Sequence, residues 1–358
     1  MMHAIPWLRA PLLGLAGLYG WAVRVRAALY QRRWLPQRRL PCRVVSVGNL
    51  TVGGTGKTPL VIALATMLRK RGQRVAVLSR GYRRHNRAPQ LLVSDGGAIR
   101  TGPAEAGDEP YLIAQRCPGV VVAVGADRFR LGQWLLDRFP LDCLLLDDGF
   151  QHLGLYRDVD LLLVDASVPG DLEALVPAGR LREPLAAAAR ATAVLLTRAD
   201  GASTVNPVLT RLASATGKMT SPILVGFRSE ALVNLVTGAV EPSETLAGKT
   251  AVIFSGIVNA SSFRGLLTAQ GARVSDEFVF PDHHGYTARD LDRIRNRAER
   301  CGAELIITTE KDAVKVAPLA RSGDRLWALR LQTDILDGRE RLERLLGMMN
   351  GEGDWEYV

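Results

Sequence analysis

A chain of 358 residues, 47% hydrophobic and 23% charged, is long enough for two α/β domains with full cores and too apolar to be disordered throughout. Its four cysteines, Cys42, Cys117, Cys143 and Cys301, have no paired spacing, which excludes a zinc ribbon and suits a reducing, cytosolic setting. The net charge of +10 sits at one end: residues 1–94 hold 17 Lys and Arg and no acid, whereas the rest holds 29 basic against 36 acidic residues.

Such an acid-free block could face nucleic acid, an anionic membrane or an acidic substrate. In residues 11–35, Leu13, Leu15, Leu18, Tyr19, Trp21 and Trp34 are interrupted by Arg24, Arg26, Arg32 and Arg33, a mixture that suits a membrane interface. The longest uncharged run, residues 10–23, has 14 residues, against roughly 20 for a bilayer span, so the segment is expected to lie on a membrane and not across it. Gly14, Gly17 and Gly20 weaken it as an autonomous helix, and packing on the protein's own core is the alternative.

Residues 44–66 carry the first strong signal. A β-branched run feeds a glycine-rich turn, and Gly56-Lys57-Thr58 then opens an apolar run with Ile62, Ala65 and Leu68 at helical spacing. Strand, loop and helix in that order place backbone N–H groups and a helix's positive end around phosphate oxygens. Gly53, Gly54, Thr55 and Gly56 would form the cradle, Lys57 would reach the terminal phosphates, and the Thr58 hydroxyl would hold Mg²⁺. The usual pattern has glycine where Thr51 stands, and the partitioning-ATPase variant has lysine where Val52 stands. An ordinary glycine-rich turn is the bland alternative.

Residues 75–78 form a second apolar strand, ending in the basic turn Arg80-Gly81-Tyr82-Arg83-Arg84, where doubly wound sheets bind ligands. Gly107-Asp108-Glu109-Pro110 reads as a helix start with Asp108 as N-cap. After the strand at 120–124, Arg128 is placed either to clamp a phosphate or to cap the next helix. The second strong signal is the buried run 143–146 ending in Asp147-Asp148-Gly149-Phe150-Gln151-His152. A strand-end aspartate beside a phosphate loop orients the Mg²⁺ shell, and two adjacent acids repel unless a cation lies between or beside them.

Strands at 159–164 and 193–196 follow, separated by a proline-bounded loop with Arg180 and Arg182, and Asp200 faintly resembles the base-reading aspartate of GTPases. Runs 223–227 and 231–236, split by Arg228-Ser229-Glu230, read as a small hairpin. From Gly248 a second rhythm runs strand 250–254, helix 260–270, strand 274–280, helix 288–301 and strand 304–308. Asp282, His283 and His284 lack a further ligand at zinc spacing, so acid–base work is favoured for these histidines. The expected architecture is α/β: a P-loop NTPase-like doubly wound parallel sheet domain at 41–217, a two-stranded linker at 218–245 and a smaller second α/β domain at 246–335. A basic membrane-associating segment at 1–40 precedes them, and a C-terminal helix and tail at 336–358 follows.

The segments Gly48 to Pro59, Ser79-Arg80-Gly81-Tyr82, Gly107-Asp108-Glu109-Pro110, Asp147 to His152 and Asp282-His283-His284 together resemble the tetraacyldisaccharide 4′-kinases, the lipid A 4′-kinases of Gram-negative bacteria. The resemblance implies transfer of the ATP γ-phosphoryl group to the 4′-hydroxyl of a lipid A disaccharide precursor, with Mg²⁺, at the cytoplasmic face of the inner membrane. It assigns Lys57 and Thr58 to phosphates and Mg²⁺, Asp147 and Asp148 to the metal, Gln151 to the lining, and Arg128 and Arg180 to phosphate oxygens. It also implies an Asp108–His283 pair at the acceptor hydroxyl, in place of the capping reading, with the adjacent His284 as the other candidate. That pair would span two domains, so closure on ligand binding is expected. Neither nucleic acid nor an obligate protein partner is expected. The competing class is a nucleotide-switch ATPase or GTPase acting on a protein partner; Val52 and the lack of a Cys/His cluster oppose two of its forms.

Overall fold

The computed structural model describes residues 6–82, 84–199, 202–219 and 221–348; Arg83, Asp200, residues 1–5 of the N-terminal segment and residues 349–358 of the tail lie outside them. The first part runs α1 (Pro6–Gln31), β1 (Arg43–Asn49), α2 (Lys57–Lys70), β2 (Val75–Ser79), β3 (Leu91–Asp95), α3 (Pro103–Ala106), α4 (Asp108–Arg116), β4 (Val121–Val124), α5 (Arg128–Leu136), β5 (Cys143–Asp147), β6 (Val159–Asp165), β7 (Ala193–Thr197) and α6 (Ala202–Thr216). The rest runs β8 (Ile223–Asn234), β9 (Val240–Pro242), β10 (Thr250–Ser255), α7 (Ala260–Ala269), β11 (Arg273–Val279), α8 (Ala288–Arg300), β12 (Leu305–Thr309), α9 (Glu310–Val316), β13 (Leu326–Asp337) and α10 (Arg339–Leu345).

One continuous sheet holds all thirteen strands, in the order β11-β10-β12-β13-β8-β7-β6-β1-β5-β2-β4-β3, with β9 beside β8. The stretch from β8 to β4 is parallel and closes on the antiparallel edge strand β3. Antiparallel pairing of β13 with β8 joins it to the second parallel group, β11, β10, β12 and β13. The α/β class and the parallel phosphate-loop sheet are therefore as the sequence predicts.

The antiparallel link uses different strands from those expected. Residues 223–227 and 231–236 do not pair with each other; the polar Arg228-Ser229-Glu230 stretch lies within the single strand β8, and a register shift opposite Arg330 and Leu331 absorbs it. Its partners are β9 and β13.

Leu60, Leu64 and Leu68 recur every four residues on α2 and are fully buried, so one stripe of that helix seats the phosphate loop on the sheet. Each such leucine stabilises the fold by about 1.5–3 kcal/mol through burial. The C-terminal helix returns to the same core through Leu342 and Leu346, and Arg43 donates to the Leu345 carbonyl at 2.6 Å. In the second group Phe263 and Leu267 of α7 cover one face, and Leu291, Ile294 and Ala298 of α8 cover the other.

Helix α1 runs unbroken through Gly14, Gly17 and Gly20 for 26 residues, about 39 Å at 1.5 Å per residue. The span Ala10–Gln31 is long and apolar enough to cross a membrane by length and composition alone, although its uncharged run is shorter than a bilayer span. Arg24 and Arg26 interrupt that run without making the helix polar on average. Leu13, Leu15, Leu18 and Trp21 are exposed, whereas Ala16 and Gly20 are buried and Gly20 lies against Leu175.

Candidate active site

The phosphate loop leaves the C-terminal end of β1, between β5 and β6, where strand ends of a parallel sheet open into a ligand crevice. Gly56, at φ 89°, caps α2, and a side chain there would meet the Phe227 ring at 2.2 Å. Gly53, at φ 134°, lies under the Arg180 guanidinium. Both positions demand glycine. Thr51, in contrast, is extended: it bridges Leu181, while Val52 N–H donates to the Arg180 carbonyl at 2.7 Å and Arg182 N–H to the Leu50 carbonyl at 2.7 Å. A residue paired in a short ladder needs no tight turn, which is why threonine replaces the usual glycine.

Lys57 Nζ donates to Asn49 Oδ1 at 3.1 Å and lies 3.5 Å from Asp148 Oδ1. Gln151 donates through Nε2 to the Asn49 carbonyl at 3.0 Å. Arg180 donates to the Val52 carbonyl and pairs with Asp171, so it covers the loop. Arg182, which the sequence reading passed over in favour of Arg180, forks onto Asp148 at 2.9 and 2.8 Å and also contacts Asn49. Asn49 was likewise missed. Arg198 at the end of β7 reaches the Gly54 carbonyl, Asp165 and Ser262 of α7, linking the loop to the second sheet group.

Asp147 and Asp148 are adjacent but face different surroundings. Asp147 pairs in register with Val47, and its Oδ2 accepts from the Ser79 hydroxyl at 2.9 Å. Its buried Oδ1 has no hydrogen-bond partner among the described residues, and burial, with Glu109 and Asp148 nearby, pushes its carboxyl up to about 7. For Asp148 burial acts the same way, yet Lys57, Arg182 and Arg128 outweigh it and hold the carboxyl well below its ordinary value. Its φ of 53° is left-handed, a strained conformation for a residue with a side chain. The orphaned oxygen and raised proton affinity of Asp147 fit a divalent cation. Mg²⁺ is usually held by one or two carboxylates plus substrate phosphates, without an all-protein cage.

Arg128 does not cap α5; Asp127 does, accepting from Phe129 and Arg130 N–H groups. The Arg128 guanidinium is buried and donates to the Gly125 and Ala126 carbonyls, and burial lowers it to about 10 against the pull of Asp147 and Asp148. Asp108 does not cap α4 either: Gly107 occupies that position, and Asp108 is the first helical residue, its side chain directed elsewhere. Its Oδ2 lies 3.5 Å from His283 Nδ1. The pair is thus formed in this conformation. His283 packs near Tyr82, ring centres 5.3 Å apart, and its Nε2 is 3.2 Å from Lys311 Nζ. His284 instead stacks on Phe280 and approaches Asp290 at 3.3 Å, inside the network that caps α8. Of the two histidines, His283 is the one that meets Asp108.

What the fold and this site define is a class: P-loop NTPase-like α/β proteins with an acid–imidazole pair formed between the two sheet groups. Residues 8–350 match the family model described as LpxK: Tetraacyldisaccharide-1-P 4′-kinase, and the chain belongs to that family. It is 42% identical over 350 residues to the tetraacyldisaccharide 4′-kinase of Anaeromyxobacter sp. (strain Fw109-5), covering 97% of this chain and 93% of that protein. It is also 42% identical over 310 residues to that of Syntrophus aciditrophicus (strain SB), covering 85% and 83%. A crystal structure of LpxK from Aquifex aeolicus in complex with ATP superposes with a TM-score of 0.75 at 33% identity, covering 95% of this chain and 98% of that one.

Proposed function

We propose that the chain transfers the γ-phosphoryl group of ATP to the 4′-hydroxyl of a tetraacylated glucosamine disaccharide 1-phosphate, giving lipid IV A. The observation that supports this reading is the Asp108–His283 pair, formed between the two sheet groups, with Glu109 beside Asp108 close enough to act on Asp147 at the end of β5. An acceptor can thus meet the phosphates there. Phosphoryl transfer asks a protein to position reactants and neutralise charge more than to form bonds itself.

Thr58, Asp147 and Asp148 would hold Mg²⁺, which would supply positive charge against that of the phosphates. The Gly53 to Gly56 backbone cradles the phosphates, Lys57 reaches the terminal one, and Gln151 lines the site. Arg128 and Arg180 serve spreading phosphate charge, Arg128 from a buried position that burial has made unusually ready for anions. Asp108, paired with His283, takes the proton of the attacking hydroxyl. In this reading residues 41–217 bring the nucleotide, while residues 246–335, reached through the linker at 218–245, bring His283 to the acceptor.

The exposed apolar face of α1, within residues 1–40, with Arg24 and Arg26 near its end, suits the anionic cytoplasmic face of the bacterial inner membrane, peripherally or monotopically. This reading calls for neither nucleic acid nor an obligate protein partner. The test is ATP-dependent phosphorylation of the lipid disaccharide. Lys57→Ala should lower kcat by about a hundredfold or more. Asp108→Ala and His283→Ala should each lower it by a similar factor, and kcat within a few-fold of the parent in both would sink the pair. A nucleotide switch would instead hydrolyse ATP without the lipid acceptor.

A further inference from the structure

Asp108 has a second partner, which comes from the far end of the chain. Lys315 of α9 places Nζ 3.3 Å from Asp108 Oδ2 and 3.4 Å from Asp312 Oδ1. The same ammonium lies 5.4 Å from the centre of the Tyr286 ring. The lysine side chain is only 15% exposed and Asp312 is fully buried, so this is an interior cation held between two carboxylates. Asp312 is anchored in turn, its Oδ2 accepting from Gly256 N–H at 2.9 Å and from the Thr309 hydroxyl at 2.7 Å. Lys315 and His283 both approach Asp108 at Oδ2, at 3.3 and 3.5 Å.

We propose that Lys315 is a positioning residue for phosphoryl transfer: its ammonium, held by Asp312, pins Asp108 Oδ2 so that Oδ1 meets the acceptor hydroxyl. The inference rests on the reading of Asp108 as the proton acceptor. The charged and titratable groups around Asp108 are His283 and Tyr286 from the loop before α8, Lys311, Asp312 and Lys315 from α9, Tyr82 after β2, and Glu109 on its own helix. Burial works to raise the Asp108 carboxyl, but His283 and Lys315 outweigh it and hold it below the ordinary carboxylate value. Removing the lysine charge therefore raises that carboxyl, and a base lost by protonation then fails at higher pH.

The experiment uses the full chain with ATP, Mg²⁺ and the lipid disaccharide. Lys315→Met is expected to lower kcat about thirtyfold, to leave KM for ATP within about twofold, and to move the acid limb of the pH profile up by about one pH unit. Lys315→Arg should recover most of the loss. In an Asp108→Asn background, Lys315→Met should cost less than about threefold more, because the oxygen pair it aims no longer takes the proton. If Lys315→Met unfolds around the stranded Asp312, the Lys315→Met/Asp312→Asn double variant removes that carboxylate and carries the same readouts. An unmoved acid limb in the folded variant, or fully additive losses in the Asp108→Asn background, overturns the proposal and leaves Asp108 as the base. Near-parental turnover by Asp108→Asn overturns the underlying reading instead.

Discussion

Two neighbouring aspartates with opposed environments concentrate the chemistry of the site in a single peptide unit. The left-handed turn at Asp148 sends its side chain to Lys57 and Arg182, while Asp147 continues the strand and points at Ser79. Asp147 ionises near 3.9 in an unfolded chain but at about 7 when folded, because burial opposes its charge. Between those values the unfolded chain gives up its proton first, so this group lowers stability as pH rises across that window, with no further loss above it. Asp147→Asn should therefore raise the melting temperature at pH 8 without metal and do little at pH 4, while abolishing transfer. Added Mg²⁺ should stabilise the parent at pH 8 and the variant far less. Thermal melts at both pH values check this, and a variant melting no higher than the parent at pH 8 would refute it. The aspartates were legible because a hydrophobic run ends on them. Arg182 was half legible: Thr51–Leu181 pairing makes its loop extended, so Arg180 and Arg182, two apart, share the face turned to the phosphate loop. Nothing near Asn49 or Lys315 in sequence announces what stands opposite them in space.

Among the elements, the buried parallel strands were readable because burial on both faces leaves continuous Val and Leu runs. Strand β8 was readable only as two strands and β13 not at all, since polar residues such as Arg228, Glu230, Gln332 and Asp334 punctuate them and suggest turns. Helix α1 shows a second property that composition could not suggest. The Tyr19 hydroxyl donates to the Arg182 carbonyl at 2.8 Å, and Arg26 donates to the Gln151 carbonyl at 3.3 Å. Helix α1 thus braces the two loops that carry Arg182 and Gln151. The neutral Tyr19 bond contributes about 0.5–1.5 kcal/mol, and the Arg26 bond has a charged donor, so Tyr19→Phe with Arg26→Ala should lower kcat several-fold. Co-sedimentation with anionic vesicles should survive that pair but weaken when residues 1 to about 35 are removed. Parental kcat in the double variant would show that α1 is an anchor alone.

At the scale of the whole molecule, the two sheet groups are fastened where α4 meets α9. Arg116 Nη1 lies 2.6 Å from both oxygens of Glu310, Nη2 lies 3.1 Å from Glu230, and both members of the central pair are largely buried. Burial pushes the Glu310 carboxyl up even against Arg116, so the arginine is what makes its charge tolerable there. The same two helices carry Asp108 at the start of α4 and Lys315 on α9, so the clamp bears on the distance between those two residues. Arg116→Met strands a buried carboxylate with only Arg330, 3.5 Å away, as a remaining cation. It should cost about 2 kcal/mol, less than a fully buried pair because both groups keep some solvent. Because the sheet is continuous, that loss should shift one cooperative calorimetric transition down by a few degrees. It should also lower kcat with little change in KM for ATP, since the contacts of Arg116 and Glu310 run to Glu230, Leu331 and Arg330. Adding Glu310→Gln should restore most of the stability by removing the stranded charge, while kcat stays low because the helices are no longer tied. Two separate transitions in Arg116→Met, or full recovery of kcat in the double variant, would show that the junction does not set the geometry of the site.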